Sequence, residues 1–257
     1  MGEIISFGIQ KGGVGKTTVT AISAFLLSRD SKVLAVDFDS QGNLTQFLTQ
    51  RNIYDFTKHT ILEAVKEQNP LPYIQPVSES LHILPAEDLL ATFSRYVYQE
   101  YRGNPTTLLR ETLAAVKDAY DYILIDLPPN LGDQTINALT ASDYAVALLQ
   151  TDPFCYDALD RYLETLQLVQ QQTNPDLVLA GILTLMMDSR TTIDATILEQ
   201  ARKDYEDVVF RTVIRRRSRI KEFSLEGIRQ RTKIDVEVLR PYEDFLKELK
   251  ERVHQKG

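Results

Sequence analysis

Cysteine is almost missing from this chain: Cys155 is the only one in 257 residues. An internal disulfide is thereby excluded, as is a multi-cysteine zinc or iron–sulfur site built by one chain. Histidine is nearly as scarce, and His59, His82 and His254 are widely separated, which argues against a zinc site. No run of about 18 apolar residues occurs, so no segment reads as a membrane span. The N-terminal stretch MGEIISFGIQ has no basic start and no long apolar core, so it does not read as a secretion signal. A cytoplasmic location is the expectation. Positive charge is not in excess either, since the formal net charge is −7. That excludes a chain coated in basic residues but leaves room for a local basic patch.

What is present is an alternation of apolar, β-rich runs with amphipathic stretches. Strands are expected at 4–9, 32–39, 80–86, 120–129, 143–151, 176–186 and 207–214. Helices are expected at 17–29, 157–172, 193–205 and 242–253, with two more helical patterns in 87–119, broken near Gly103, Asn104 and Pro105. Strands alternating with helices imply βαβ units. The fold class that follows is α/β, a doubly wound, mostly parallel sheet with helices on both faces. Runs such as ILID and VLAGILTL lack polar alternation, as strands covered on both faces do. With no repeat or linker, residues 1–257 read as one domain.

The first strand runs into KGGVGKTT, residues 11–18. A glycine loop between a strand and a helix is an anion cradle, because its amides and the helix N-terminus converge on phosphate oxygens. Gly12, Gly13, Val14, Gly15, Lys16, Thr17 and Thr18 form the expected nucleotide-binding loop of a P-loop NTPase. Lys16 is expected to reach the β- and γ-phosphates, and Thr17 to offer its hydroxyl to Mg²⁺. Gln10 stands where the ordinary pattern has its first glycine, and a second lysine, Lys11, follows it.

Two further stretches belong to such a site. VDFDSQGN follows the second strand and carries Asp37 and Asp39, two apart, expected to face the ligand side together. ILIDLPPNLG is a Walker B strand, and its Asp126 is expected to hold Mg²⁺.

These motifs resemble the ParA/Soj-type deviant Walker A ATPases of the wider MinD/ParA class, over residues 4–227. The loop matches K-G-G-x-G-K-[ST], the second stretch D-x-D-x-Q-G-N, and the third D-x-P-P-x-x-G. No helix-turn-helix precedes the first strand, so the match is to the short form. The resemblance implies ATP and Mg²⁺ as cofactors and a homodimer in the ATP state. Lys11 then reaches across the dimer interface to the partner's nucleotide, so Lys11, Lys16 and Asp39 are the implied catalytic residues. Asp39 positions the attacking water, Asp37 supports the Mg²⁺ shell, and Met186 and Asp188 lie near the adenine. The segment QTDPFCYDAL, residues 150–159, departs from the family and bears on partner choice.

One basic run stands out in an acidic chain. RTVIRRRSRIK, residues 211–221, contains no acid. Read alone, such a run is an ordinary solvated, ion-paired face. The resemblance implies nonspecific DNA binding by Arg215, Arg216, Arg217, Arg219 and Lys221, with Arg215 standing at a family proline near the adenine. A ParB-like or cargo adaptor is the implied protein partner, and a plasmid, a chromosome or an assembly such as a carboxysome the implied cargo. A MinD-like membrane ATPase is the alternative, since Tyr242, Phe245, Leu246, Leu249 and Val253 form an apolar stripe at helical spacing. Its polar face mixes acids with bases, which favours a helix packed on the domain. A third class, nitrogenase iron-protein-like or dethiobiotin-synthetase-like enzymes, shares the loop or fold. The former needs paired cysteines that this chain lacks, and the latter has no use for the arginine run.

Overall fold

The structure, a computed structural model, describes residues 2–152, 155–186 and 192–254, with Cys155 and Met186 described by backbone alone. β1 (Glu3–Gly8) leads through the glycine loop into α1 (Lys16–Leu27), β2 (Val33–Asp37) and α2 (Asn43–Thr49). α3 (Ile61–Glu67), β3 (Gln75–Pro76), β4 (Leu81–Leu84), α4 (Phe93–Gln99), α5 (Leu108–Ala114) and β5 (Tyr122–Asp126) follow. The second half runs α6 (Asp133–Ala141), β6 (Tyr144–Gln150), α7 (Cys155–Gln172), β7 (Val178–Met186), α8 (Thr192–Tyr205), β8 (Val209–Arg215), α9 (Ser218–Glu226) and α10 (Lys233–His254).

Eight strands form one sheet in the order β3-β4-β2-β5-β1-β6-β7-β8. Every pairing is parallel except the short β3–β4 contact at the edge. Parallel neighbours require crossovers, and the helices that provide them cover both faces of the sheet. β2 and β5 are consequently buried at every position, and β1 at every position but Glu3. β1 pairs with β5 on one side and β6 on the other, so the strand order reverses there. A crevice opens at the C-terminal end of such a switch point. The glycine loop, the residues after β2 and the end of β5 all meet at that edge.

Each expected strand is present, within a few residues at its ends. Four helices were not anticipated: α2, α3, α6 and α9. Each has seven to nine residues. That is too short to show a helical period against a window of about 11–18 residues. α10 is also longer than expected. It starts at Lys233 and passes through Pro241, which reads in sequence as a helix boundary. Burial of the stripe around the proline holds the helix together. Phe245 lies edge-on to Phe210 with ring centroids 5.0 Å apart, and to Phe7 at 6.4 Å. The stripe considered for membrane contact is therefore inside the core, and no helix among the described residues is long and apolar enough to cross a membrane.

Candidate functional site

The glycine loop turns on left-handed residues: φ is 74° at Gly13 and 102° at Gly15. Side chains rarely adopt such angles, so glycine is required at both. A Cβ added at Gly12 or Gly13 would meet nothing within 4 Å, so the cradle is open on that side. α1 begins at Lys16 with no side-chain cap, which leaves its first amides turned into the loop. Lys16 is only 7% exposed, and its ammonium donates to the Lys11 carbonyl at 2.9 Å, drawing the loop closed. Burial lowers its pKa, opposed by Asp126 and Asp39.

The Walker B acid meets the loop. The Thr17 hydroxyl donates to Asp126 Oδ2 at 2.6 Å, and the Thr20 hydroxyl approaches Oδ1 at 3.5 Å. Burial and the neighbouring Asp37 push the Asp126 carboxyl up to about 8, with Thr17 and Lys16 pulling against them. A buried carboxylate under that strain is suited to a cation. Among the described residues no three histidines, cysteines or acids gather into a metal cage. A hydroxyl and one carboxylate beside an open phosphate cradle suit Mg²⁺, which takes few protein ligands and completes its shell with phosphate and water.

The expectation that Asp37 and Asp39 face the ligand together is corrected. β2 ends at Asp37, so the side-to-side alternation of a strand does not continue to Asp39. The Asp37 carboxylate is fully buried. It accepts the Thr45 amide at 2.8 Å and the Thr45 hydroxyl at 2.7 Å through Oδ2, and the Asp39 amide at 3.3 Å through Oδ1. It thus caps α2, whose own cap residue Gly42 has no side chain to do so. Burial pushes it up to about 7 against those hydrogen bonds. Asp39 does border the site: it lies on the wall of a cleft of about 580 Å³ that also includes Lys16, Thr17, Gln41 and Pro129.

A second cavity of about 220 Å³ adjoins the loop on its other flank. Val14, Thr18, Gln150 and Leu185 form its floor, and Arg215, Arg216, Arg217 and Lys221 its rim. Met186 ends β7 opposite Arg215, close to this cavity, whereas Asp188 lies outside the described residues. The basic run is therefore split by the fold. Arg211 lies 3.6 Å from both Glu248 and Glu251. Arg219 is bound to Asp235 and Glu222. Arg215, Arg216, Arg217 and Lys221 have no ion-pair partner among the described residues. Lys11 points its ammonium at Asp152, beyond the end of β6, and not into its own cradle.

Several lining residues were not foreseen. Ser224 and Leu225 of α9 close the larger cleft opposite the glycine loop, and Leu225 is 79% exposed there. Gln150 lines the smaller cavity. Ser224 and Leu225 carry no motif of their own, and Gln150 stands out in the sequence only as the start of the 150–159 segment; the position of β6 and α9 beside the loop brings them in.

A family model described as an AAA domain matches residues 2–179. The chain is similar to the sporulation initiation inhibitor protein Soj of Bacillus subtilis (strain 168), 37% identical over 243 residues, covering 88% of this chain and 89% of that one. It is also similar to the chromosome partitioning protein ParA of Myxococcus xanthus (strain DK1622), 37% identical with 86% and 78% covered. Among solved structures it is similar to a cobyrinic acid a,c-diamide synthase of Mycobacterium smegmatis with a bound ATP analogue and magnesium. There the TM-score is 0.81 and the identity 31%, with 96% of this chain and 95% of that chain covered.

Proposed function

The chain belongs to the ParA/Soj family of P-loop ATPases, and on that premise we propose that it is a partitioning switch driven by ATP and Mg²⁺. The observation that carries this reading is the pairing of an open phosphate cradle with a rim of cations that have no ion-pair partner among the described residues. Lys16 and the loop amides bind the phosphates, and Thr17 with Asp126 holds the metal ion. The ion, when bound, neutralises charge that develops on the phosphate oxygens. Asp39 orients the attacking water across the cleft. Lys11 leaves Asp152 and reaches the phosphates of a second copy, so that each site is completed by its partner.

In the ATP state the dimer binds DNA without sequence preference through Arg215, Arg216, Arg217 and Lys221. Among the described residues these side chains form no ion pair, and counterion release from duplex DNA rewards such a rim. A ParB-like or cargo adaptor stimulates slow hydrolysis, and the ADP form releases the nucleoid. The cargo is a plasmid, a chromosome or a protein assembly. The working location is the nucleoid-bearing cytoplasm.

The test is duplex binding by the purified protein with ATP–Mg²⁺, ADP–Mg²⁺ or neither, beside an Arg216→Ala/Arg217→Ala variant. Binding that requires ATP, ignores sequence, weakens with salt and drops in the variant is the expected result. Absence of binding in every nucleotide state would overturn the nucleoid mechanism.

A further inference from the structure

Arg219 lies in the middle of the basic run, yet the fold gives it a different set of partners from its neighbours. Its side chain is 20% exposed. Nε donates to Asp235 Oδ1 at 2.8 Å, and Nη2 to the same oxygen at 2.7 Å. Nη1 is bound to Glu222, one turn along α9, and the guanidinium sits 5.4 Å from the centroid of the fully buried Phe223 ring. Three of its five N–H donors are thereby engaged with acids of this chain, and both carboxylates compete with any phosphate for it.

Asp235 is the reason this pair matters. Its side chain is fully buried, and its other oxygen accepts the amides of Arg231 and Thr232, each at 2.9 Å. The Thr232 hydroxyl accepts the Asp235 amide at 3.1 Å in return. That is a reciprocal cap at the start of α10, with an aspartate in the acid's place. A buried carboxylate with one oxygen committed to two amides needs a cation on the other, and Arg219 is that cation.

The opposite flank of α9 faces the nucleotide cleft. Ile220 and Lys221 wall the smaller cavity, and Ser224 and Leu225 the larger one. α9 therefore spans both, and its orientation is set from the face away from them, where Phe223 in the core and the Arg219–Asp235 pair lie side by side.

We propose that Arg219 is a positioning residue and not a phosphate contact: its pair with Asp235 fixes α9 across the nucleotide cleft and thereby places Lys221, Ser224 and Leu225. The DNA part of this inference rests on the partitioning reading above; the nucleotide part stands without it. A direct phosphate contact and a positioning pair differ in what the loss of Asp235 does. If Arg219 contacts DNA, removing Asp235's charge frees it and DNA binding holds or tightens. If Arg219 orients α9, the same change loosens the helix and weakens binding.

The experiment compares Arg219→Gln, Asp235→Asn and the double variant with the parent. Affinity for a fluorescent ATP analogue with Mg²⁺ and the salt dependence of duplex binding are measured, after thermal unfolding confirms folding. The expected result is that each single variant weakens nucleotide binding by roughly tenfold, and that the double costs about as much as either single, the non-additivity of one contacting pair. DNA affinity falls in parallel while the slope of log K against log salt stays at the parent value. A slope smaller by about one unit in Arg219→Gln, the signature of one lost phosphate contact, with nucleotide affinity intact and Asp235→Asn binding DNA at least as well as the parent, would overturn the proposal. Should Arg219→Gln fail to fold, Asp235→Asn alone decides, because its amide oxygen still accepts from Arg231 and Thr232. If the parent binds no DNA, the partitioning reading falls, and the nucleotide measurements alone decide the role of Arg219.

Discussion

A single side chain shows how tightly the site is coupled to the core behind it. Gly8 ends β1 just before the glycine loop, and a Cβ there would lie 2.5 Å from the Tyr162 ring. Tyr162 is fully buried in α7, so the ring has nowhere to retreat. Gly8→Ala is expected to cost about 1–3 kcal/mol, the usual price of overpacking. Urea unfolding of the variant beside the parent measures it, and an unchanged midpoint would show that α7 yields to the added methyl. Lys16 illustrates the opposite case. Its burial lowers its pKa, and the carbonyl of Lys11 holds its ammonium beside the acids that favour the charged form. A charge kept in that place is aimed at an anion before the anion arrives.

Among the elements, α10 does more than its apolar stripe suggests. β8 lies at the end of the sheet order, and an unprotected edge invites pairing with other chains. Glu248 of α10 covers it: its carboxylate accepts the Arg211 amide at 2.9 Å and the Thr212 amide at 3.2 Å. Arg252, one turn on, donates to the carbonyls of Ala180, Val208 and Val209 and to Glu248 itself. Burial alone would raise the Glu248 pKa, but those amides together with Arg252 and Arg211 hold it below the usual carboxylate range. A folded pKa below the unfolded value contributes stability above the unfolded pKa, about 4.3, that is lost as pH falls through the folded one. Glu248→Gln is expected to cost about 1.5–3 kcal/mol at neutral pH, the range for hydrogen bonds to a charged group. The gap between variant and parent should close as unfolding is followed from pH 7 to acid. A gap independent of pH would assign the role to shape and not to charge.

At the scale of the whole molecule, the direction of Lys11 decides what one copy can do. Its ammonium is tied to Asp152, so in the single chain Lys16, and not Lys11, is the loop lysine that serves the cradle. If Lys11 acts across a dimer, two inactive variants complement each other. A heterodimer of Lys11→Ala and Asp39→Ala has one site with both an intact Asp39 and the partner's Lys11. Random pairing in an equal mixture is expected to restore about a quarter of the parent's ATP turnover, since half of the dimers are mixed and one site in each works. Turnover no higher than in either variant alone would place Lys11 in its own site.

The sequence by itself determined the features made of neighbouring residues. The strand, glycine loop and helix around Gly12, Gly13, Gly15, Lys16 and Thr17 were legible because a phosphate cradle is a contiguous structure whose geometry follows from its glycines. The parallel, doubly wound sheet was legible because buried strands and crossover helices impose periods on the chain. The tertiary structure alone decided which charges are spent inside the fold. Asp37 reads like Asp39 in sequence, yet one caps α2 and the other borders the cleft, because the strand ends between them. Arg219 reads like Arg216, yet it is bound to an acid sixteen residues away. Lys11 meets an acid 141 positions along the chain. Such pairings depend on how helices dock on the sheet, and docking is a balance of burial over the whole core that no local pattern records.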